Sequence, residues 1–118
     1  DLTNVLISAH NTLKSGEAVD PTWVFKLPSH TVSEIHLAGV SVDSEAITCA
    51  NAPIWIDSHS ASPNEDVQRF YEAYLAYTGP KPTLIEWDND VPSFDVLWAQ
   101  RTRFQSIFEV AKKGSQRA

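Results

Sequence analysis

The chain has 118 residues, 42% of them hydrophobic, and a formal net charge of −6. That is enough for one ordinary domain with a core. The acidity argues against nucleic-acid binding, which calls for a basic patch, and against adhesion to an anionic membrane. Its one cysteine, Cys49, cannot form an intrachain disulfide. With no 18-residue apolar run and no secretory signal, the expected location is the cytoplasm.

Residues 4 to 9, Asn-Val-Leu-Ile-Ser-Ala, admit two readings. The β-branched content favours a strand, while Val5 and Ala9 also fit a helical turn. Lys14 to Asp20 is a polar loop around Gly16. Pro21 to Leu27 forms a short helix with Asp20 as N-cap and Pro21 at its first position, burying Trp23, Val24 and Leu27. Ser33 to Val40 reads as a strand, with Ile35 and Leu37 on one face and Glu34, His36 and Ala38 on the other. Gly39 allows a turn or a close backbone approach. Residues 41 to 52 are polar and irregular, with some hairpin character.

Pro53 to His59 is a further strand, with Trp55, Asp57 and His59 on one face. Ser62-Pro63-Asn64-Glu65 has the form of a capping box with proline at the first helical position. The helix it opens presents Val67, Phe70, Tyr71, Tyr74 and Leu75, and stops at Gly79-Pro80. Thr83 to Asp88 is a short, apolar, buried strand that ends in acids; Leu84, Glu86 and Asp88 share a face. A last helix, capped by Ser93, carries an apolar stripe of Phe94, Leu97, Phe104, Ile107, Phe108 and Ala111, with Lys112 and Lys113 at its C-terminus and a frayed end from Gly114. Strands alternating with helices predict a parallel α/β sheet in a single domain.

Three predicted strands end in polar groups: His36, the pair Asp57 and His59, and Glu86 with Asp88. Functional groups of parallel α/β folds sit at the C-terminal ends of strands. A carboxylate inside such a strand is costly unless paired or bound to a metal. Imidazole mixed with carboxylate suits iron, manganese or zinc. The bland readings are a hydrogen-bonded core histidine for His36, a structural pair for Asp57 and His59, and a turn or cap for Asp88-Asn89-Asp90. Trp55 and Trp87 read as packing residues, and Cys49 as an inert thiol.

The strings Glu34-Ile35-His36-Leu37-Ala38-Gly39, Ile56-Asp57-Ser58-His59 and Leu84-Ile85-Glu86-Trp87-Asp88, with Asp1-Leu2-Thr3-Asn4-Val5 before them, closely resemble one family. It is the multinuclear non-haem iron-dependent oxidative enzymes, similar to the iron subunit of methanobactin biosynthesis. The resemblance implies a TIM-like (β/α)8 barrel, of which this chain is the C-terminal portion with about the last three strands. It makes a helix or irregular turn the better reading of residues 4 to 12.

It also implies two or three iron ions, with Asp1, His36, Asp57, His59 and Glu86 as ligands from this part, and Asn4 and Asp88 orienting them or serving as caps and turns. The implied substrate is a ribosomally made precursor peptide, oxidised at cysteines or other residues, often with a partner protein that presents it. Two positions depart from the pattern. Val40 stands where the family commonly has a second histidine, and Asn11-Thr12-Leu13 stands for Asn-His-Gly; His10 close by takes no ligand role.

The competing readings are a non-catalytic half-barrel assembly module, favoured by Val40, and another metal-dependent barrel enzyme such as an isomerase or hydrolase. Alone, the 118 residues are expected to self-associate, to bind iron weakly and to show no turnover.

Overall fold

The structure is a computed structural model that describes residues 1–13, 18–48 and 50–116. The middle of the predicted Gly16 loop, Cys49 and the last two residues lie outside that set. The chain is mixed α/β. Its elements are α1 (Leu2–Asn11), two short 3-10 turns (Pro21–Lys26 and Ser29–Thr31), β1 (Ile35–Ala38), β2 (Val40–Ile47), β3 (Pro53–Asp57), α2 (Glu65–Thr78), β4 (Thr83–Glu86) and α3 (Phe94–Ser115).

The strands form two small sheets. β1 and β4 run parallel, with Ile35 beside Thr83 and Ala38 beside Glu86. β2 and β3 form an antiparallel hairpin in which Val40 faces Asp57. The expected run of parallel strands therefore holds for β1 and β4 only. β3 departs because its link from β2 is a tight turn, in which Asn51 N–H donates to Thr48 O and Asn51 adopts φ 58°. A parallel pair needs a crossover of a dozen or more residues.

α1 resolves the ambiguity of the first segment as a helix. Asp1 caps it by accepting from Asn4 N–H. Two side chains stitch α1 to the strands. The Thr3 hydroxyl, fully buried, accepts from Ala38 N–H at 2.9 Å and donates to Ala38 O at 3.2 Å. The Asn11 amide accepts from Trp55 N–H at 2.9 Å and donates to Trp55 O at 2.8 Å, making the contacts of an extra strand residue. Thr3→Val keeps the shape but leaves both backbone groups of Ala38 without the hydroxyl. It is expected to cost about 1–3 kcal/mol in a denaturant titration.

The core joins Ile35 and Leu37 of β1 to Val67, Tyr71, Tyr74 and Leu75 of α2, with Leu2, Val24 and Phe104 closing it. These are the apolar faces that helical and strand periodicity select. His36, on the other face of β1, is left outside. Gly39 makes a close approach: a Cβ there would stand 2.0 Å from Ala61 O.

Several local expectations are corrected. Trp23 is exposed, and Phe25 packs on the core in its place, edge-on to Phe70, Tyr74 and Tyr77. Asn64, not Ser62, caps α2, because its side chain reaches Val67 N–H at 2.9 Å while Ser62 donates to Gln100. Ser93 caps α3 without a side-chain hydrogen bond. Leu84 is 47% exposed and Phe94 72% exposed. α3 packs on the core around Phe104, and its first turns, where Phe94 stacks on Trp98, stand away from it. No helix among the described residues is long and apolar enough to cross a membrane.

Candidate metal centre

The parallel register sets His36 beside Leu84 and leaves Glu86 two residues further along the same face. Glu86 Oε1 thereby comes to 3.0 Å from His36 Nδ1. The other ring nitrogen, Nε2, lies 2.6 Å from Glu34 Oε1. Glu34 lies just before β1, two residues back from His36.

His59 reaches the same place by a different route. It lies beyond the end of β3 in the left-handed region, at φ 51°, so strand alternation no longer applies to it. Among non-glycine residues, histidine is one of the few enriched there. The turn is held from the β4 side: Asp88 N–H and Asn89 N–H both donate to His59 O at 3.0 Å, and the Asn89 amide donates to Ser58 O. Asp88-Asn89-Asp90 thus works as a turn cluster that clamps the His59 loop. On the β2 side, the Ser41, Ser58 and Ser60 hydroxyls form a linked group.

The ring so placed has its Nε2 at 3.2 Å from Asp57 Oδ2 and 3.5 Å from Glu86 Oε2, and its Nδ1 at 3.5 Å from Asp88 Oδ1. Asn4 extends the cluster to the start of α1. Its amide donates to Asp57 Oδ2 at 2.7 Å and to Asp1 Oδ2 at 2.8 Å. Every residue singled out in the sequence for this site therefore belongs to one connected group, with Asp1 joined through Asn4. Glu34 was missed, although its i, i+2 relation to His36 was visible in the sequence.

The electrostatics are one-sided. Four acids, Glu34, Asp57, Glu86 and Asp88, face the two imidazoles, and a fifth, Asp1, is joined to them through Asn4. Asp57 Oδ1 is buried with no hydrogen-bond donor among the described residues, and a buried carboxylate oxygen without a partner is costly. His59 is held above the ordinary histidine value of 6.5: burial works against its charged form, and Asp57, Asp88 and Glu86 outweigh burial. The folded state thus binds this proton more tightly than the unfolded chain. The resulting stability is complete below pH 6.5 and is lost as pH rises through the folded value. In the metal-free protein, NMR titration of the His59 ring is expected to give a midpoint above 6.5 that Asp57→Asn moves downward; a midpoint at or below that value contradicts the assignment.

Two imidazoles and several carboxylates are a donor set of the type that suits iron, manganese or zinc, and the orphaned Asp57 oxygen adds a further lone-pair group. As they stand, the side chains hold one another. No three His, Cys, Asp or Glu among the described residues converge on a single point. The fit is therefore one of donor chemistry and proximity.

A cluster of imidazoles and acids from the ends of β3 and β4 and the first half of β1, where His36 is the second residue and not at the expected strand end, defines a polar site on a mixed α/β scaffold. The chain matches the family model described as RiPP precursor modification enzyme MbnB/TglH/ChrH over residues 1–109, and it belongs to that family. This agrees with the resemblance read from the Glu34–Gly39 and Leu84–Asp88 strings. It is 40% identical to a UPF0276 protein of Caulobacter sp. (strain K31) over 103 residues, which are 87% of this chain and 34% of the relative. It is likewise 40% identical to UPF0276 protein VV1_0952 of Vibrio vulnificus (strain CMCP6) over 112 residues, 94% of this chain and 35% of the relative. A UPF0276 protein of Paraburkholderia phytofirmans is 43% identical over 100 residues, 85% of this chain and 30% of the relative. The chain spans about a third of the length of these curated relatives. No solved structure matches it.

Proposed function

We propose that this chain supplies one wall of a non-haem iron centre in a (β/α)8-barrel enzyme that oxidises cysteines or other residues of a ribosomally made precursor peptide. The observation that carries the reading is the excess of acids around His36 and His59, with Asp57 Oδ1 buried and unmatched. Such a cluster calls for a cation. Family membership supports a peptide-modifying enzyme.

Asp1, His36, Asp57, His59 and Glu86 would hold the iron, which when bound supplies a site for the substrate thiol and for the activation of dioxygen. The protein's own part is orientation. Glu86 faces both imidazoles, through Oε1 to His36 and Oε2 to His59. Asp88 faces the far nitrogen of His59, and Asn4 fixes the carboxylate of Asp57. Such partners hold ligand rings and carboxylates in place for metal. Asp57, Glu86 and His59 are the shielded members, with side chains 20–24% exposed, while His36 is 37% and Asp88 72% exposed.

Val40 stands opposite Asp57 in the hairpin and packs toward the core, so it adds no donor where the family commonly has histidine. The reading therefore commits to two irons. Remaining ligands and the peptide surface belong to the rest of the full-length protein, with a peptide-presenting partner. Metal analysis of that protein, purified without air, is the test. Two irons support the oxidase, and a shift to zinc or manganese supports an isomerase or hydrolase. Absence of bound metal supports the assembly module toward which Val40 points.

A further inference from the structure

We infer that Glu34 is the positioning residue for His36: it accepts a hydrogen bond from Nε2–H and so turns Nδ1 toward Glu86. The inference rests on the iron reading above for its metal-binding consequence. Its geometric basis is independent of that reading. Glu34 directly precedes β1 and stands two residues before His36, and the two side chains meet. The 2.6 Å separation of His36 Nε2 and Glu34 Oε1 is that of a strong charge-assisted hydrogen bond.

A neutral imidazole has one donor nitrogen and one acceptor nitrogen. Both nitrogens of His36 face carboxylates, at 2.6 Å for Glu34 and 3.0 Å for Glu86. The shorter contact claims the proton. In the neutral ring Nδ1 then points its lone pair at a carboxylate oxygen, an arrangement that a cation or a second ring proton relieves. Two donors held at right angles, each ~2.1 Å from a metal ion, lie about 3 Å apart. The spacing of His36 Nδ1 and Glu86 Oε1 is that of such a pair.

Glu34 thus does for His36 what the carboxylate behind a ligand histidine does generally: it fixes the tautomer and the orientation of the ring. The side chain of Glu34, 53% exposed, is not required by the core.

The test uses the full-length protein labelled with 15N-histidine. In the metal-free state at about pH 8, where an ordinary imidazole is neutral, long-range proton–nitrogen correlation is expected to show His36 protonated at Nε2. Glu34→Ala is expected to mix the two tautomers and to weaken ferrous-iron binding by roughly 10–100-fold, measured anaerobically against a chromogenic chelator. Glu34→Gln, whose amide oxygen still accepts, is expected to keep the tautomer and to lose less than about tenfold. The exposed Glu45→Gln serves as the control and is expected to change neither readout. An Nδ1-protonated His36 in the unaltered protein, or a Glu34→Ala variant with unaltered tautomer and affinity, overturns the inference. If the unaltered protein binds no ferrous iron, the iron reading fails, and the tautomer alone then decides the role of Glu34.

Discussion

Glu86→Gln in the full-length protein is expected to weaken ferrous-iron binding by more than about 100-fold, beyond the ~10–100-fold that loss of a ligand's hydrogen-bonding partner typically costs. Glu86 is the carboxylate that faces both imidazoles, with one oxygen 3.0 Å from His36 and the other 3.5 Å from His59. The amide keeps the shape and one acceptor atom but loses the charge and replaces the second oxygen with a donor. That donor would face a ring nitrogen intended for metal. The affinity is read anaerobically by chelator competition. A second readout needs no metal: Glu86 is one of the charges that raise His59, so the substitution is expected to lower the His59 titration midpoint. Affinity within about threefold of the unaltered protein would remove Glu86 from the ligand set, whatever the circular dichroism spectrum shows.

The same residue illustrates what could be read before the structure. Glu86 was conspicuous because an acid inside an apolar strand needs a partner, and His36 was conspicuous for the same reason. Their meeting follows from the parallel pairing of β1 with β4, which the alternation of strands and helices implied. The order of the partners was not legible. Nothing in Pro53–Asp57 distinguishes a parallel strand from the second arm of a hairpin, because alternation has the same period in both.

His59 shows the limit most clearly. Its i, i+2 spacing from Asp57 suggested a shared strand face, and the two do meet at 3.2 Å. The contact is made by a left-handed turn instead, fixed by backbone hydrogen bonds from Asp88 and Asn89, which lie beyond α2 and β4 in the chain. Apolar stripes were legible as stripes, yet Phe94 and Trp23 lie exposed because periodicity reports which residues share a face and not what covers it. α1 was ambiguous for a local reason. Val5, Leu6 and Ile7 suit either state, and the deciding contacts, Thr3 to Ala38 and Asn11 to Trp55, are long-range.

Gly39→Ala is expected to destabilise the full-length protein by about 3 kcal/mol, at the upper end of overpacking costs. An added Cβ would lie 2.0 Å from Ala61 O, 2.3 Å from its carbonyl carbon and 2.8 Å from its Cα. All three are backbone atoms, so no rotamer change relieves the clash, and either β1 or the 58–62 segment must move. Gly39 directly follows Ala38, whose backbone is closed by Thr3, and it precedes the hairpin strand that faces Asp57. Ala61 lies two residues past His59. The displacement therefore pulls on both the β1 side and the His59 side of the candidate metal centre, and ferrous affinity is expected to fall together with stability. Gly114→Ala separates this packing effect from a general effect of glycine replacement. Gly114 lies in α3 with nothing within 4 Å of its would-be Cβ. The added methyl group there is expected to raise stability by up to about 1 kcal/mol through helix propensity. Urea titrations of the two variants should move in opposite directions. A Gly39→Ala protein within about 1 kcal/mol of the unaltered one would mean that the backbone at Ala61 yields easily, and the close approach would then not be what fixes His59 against the β1–β4 pair.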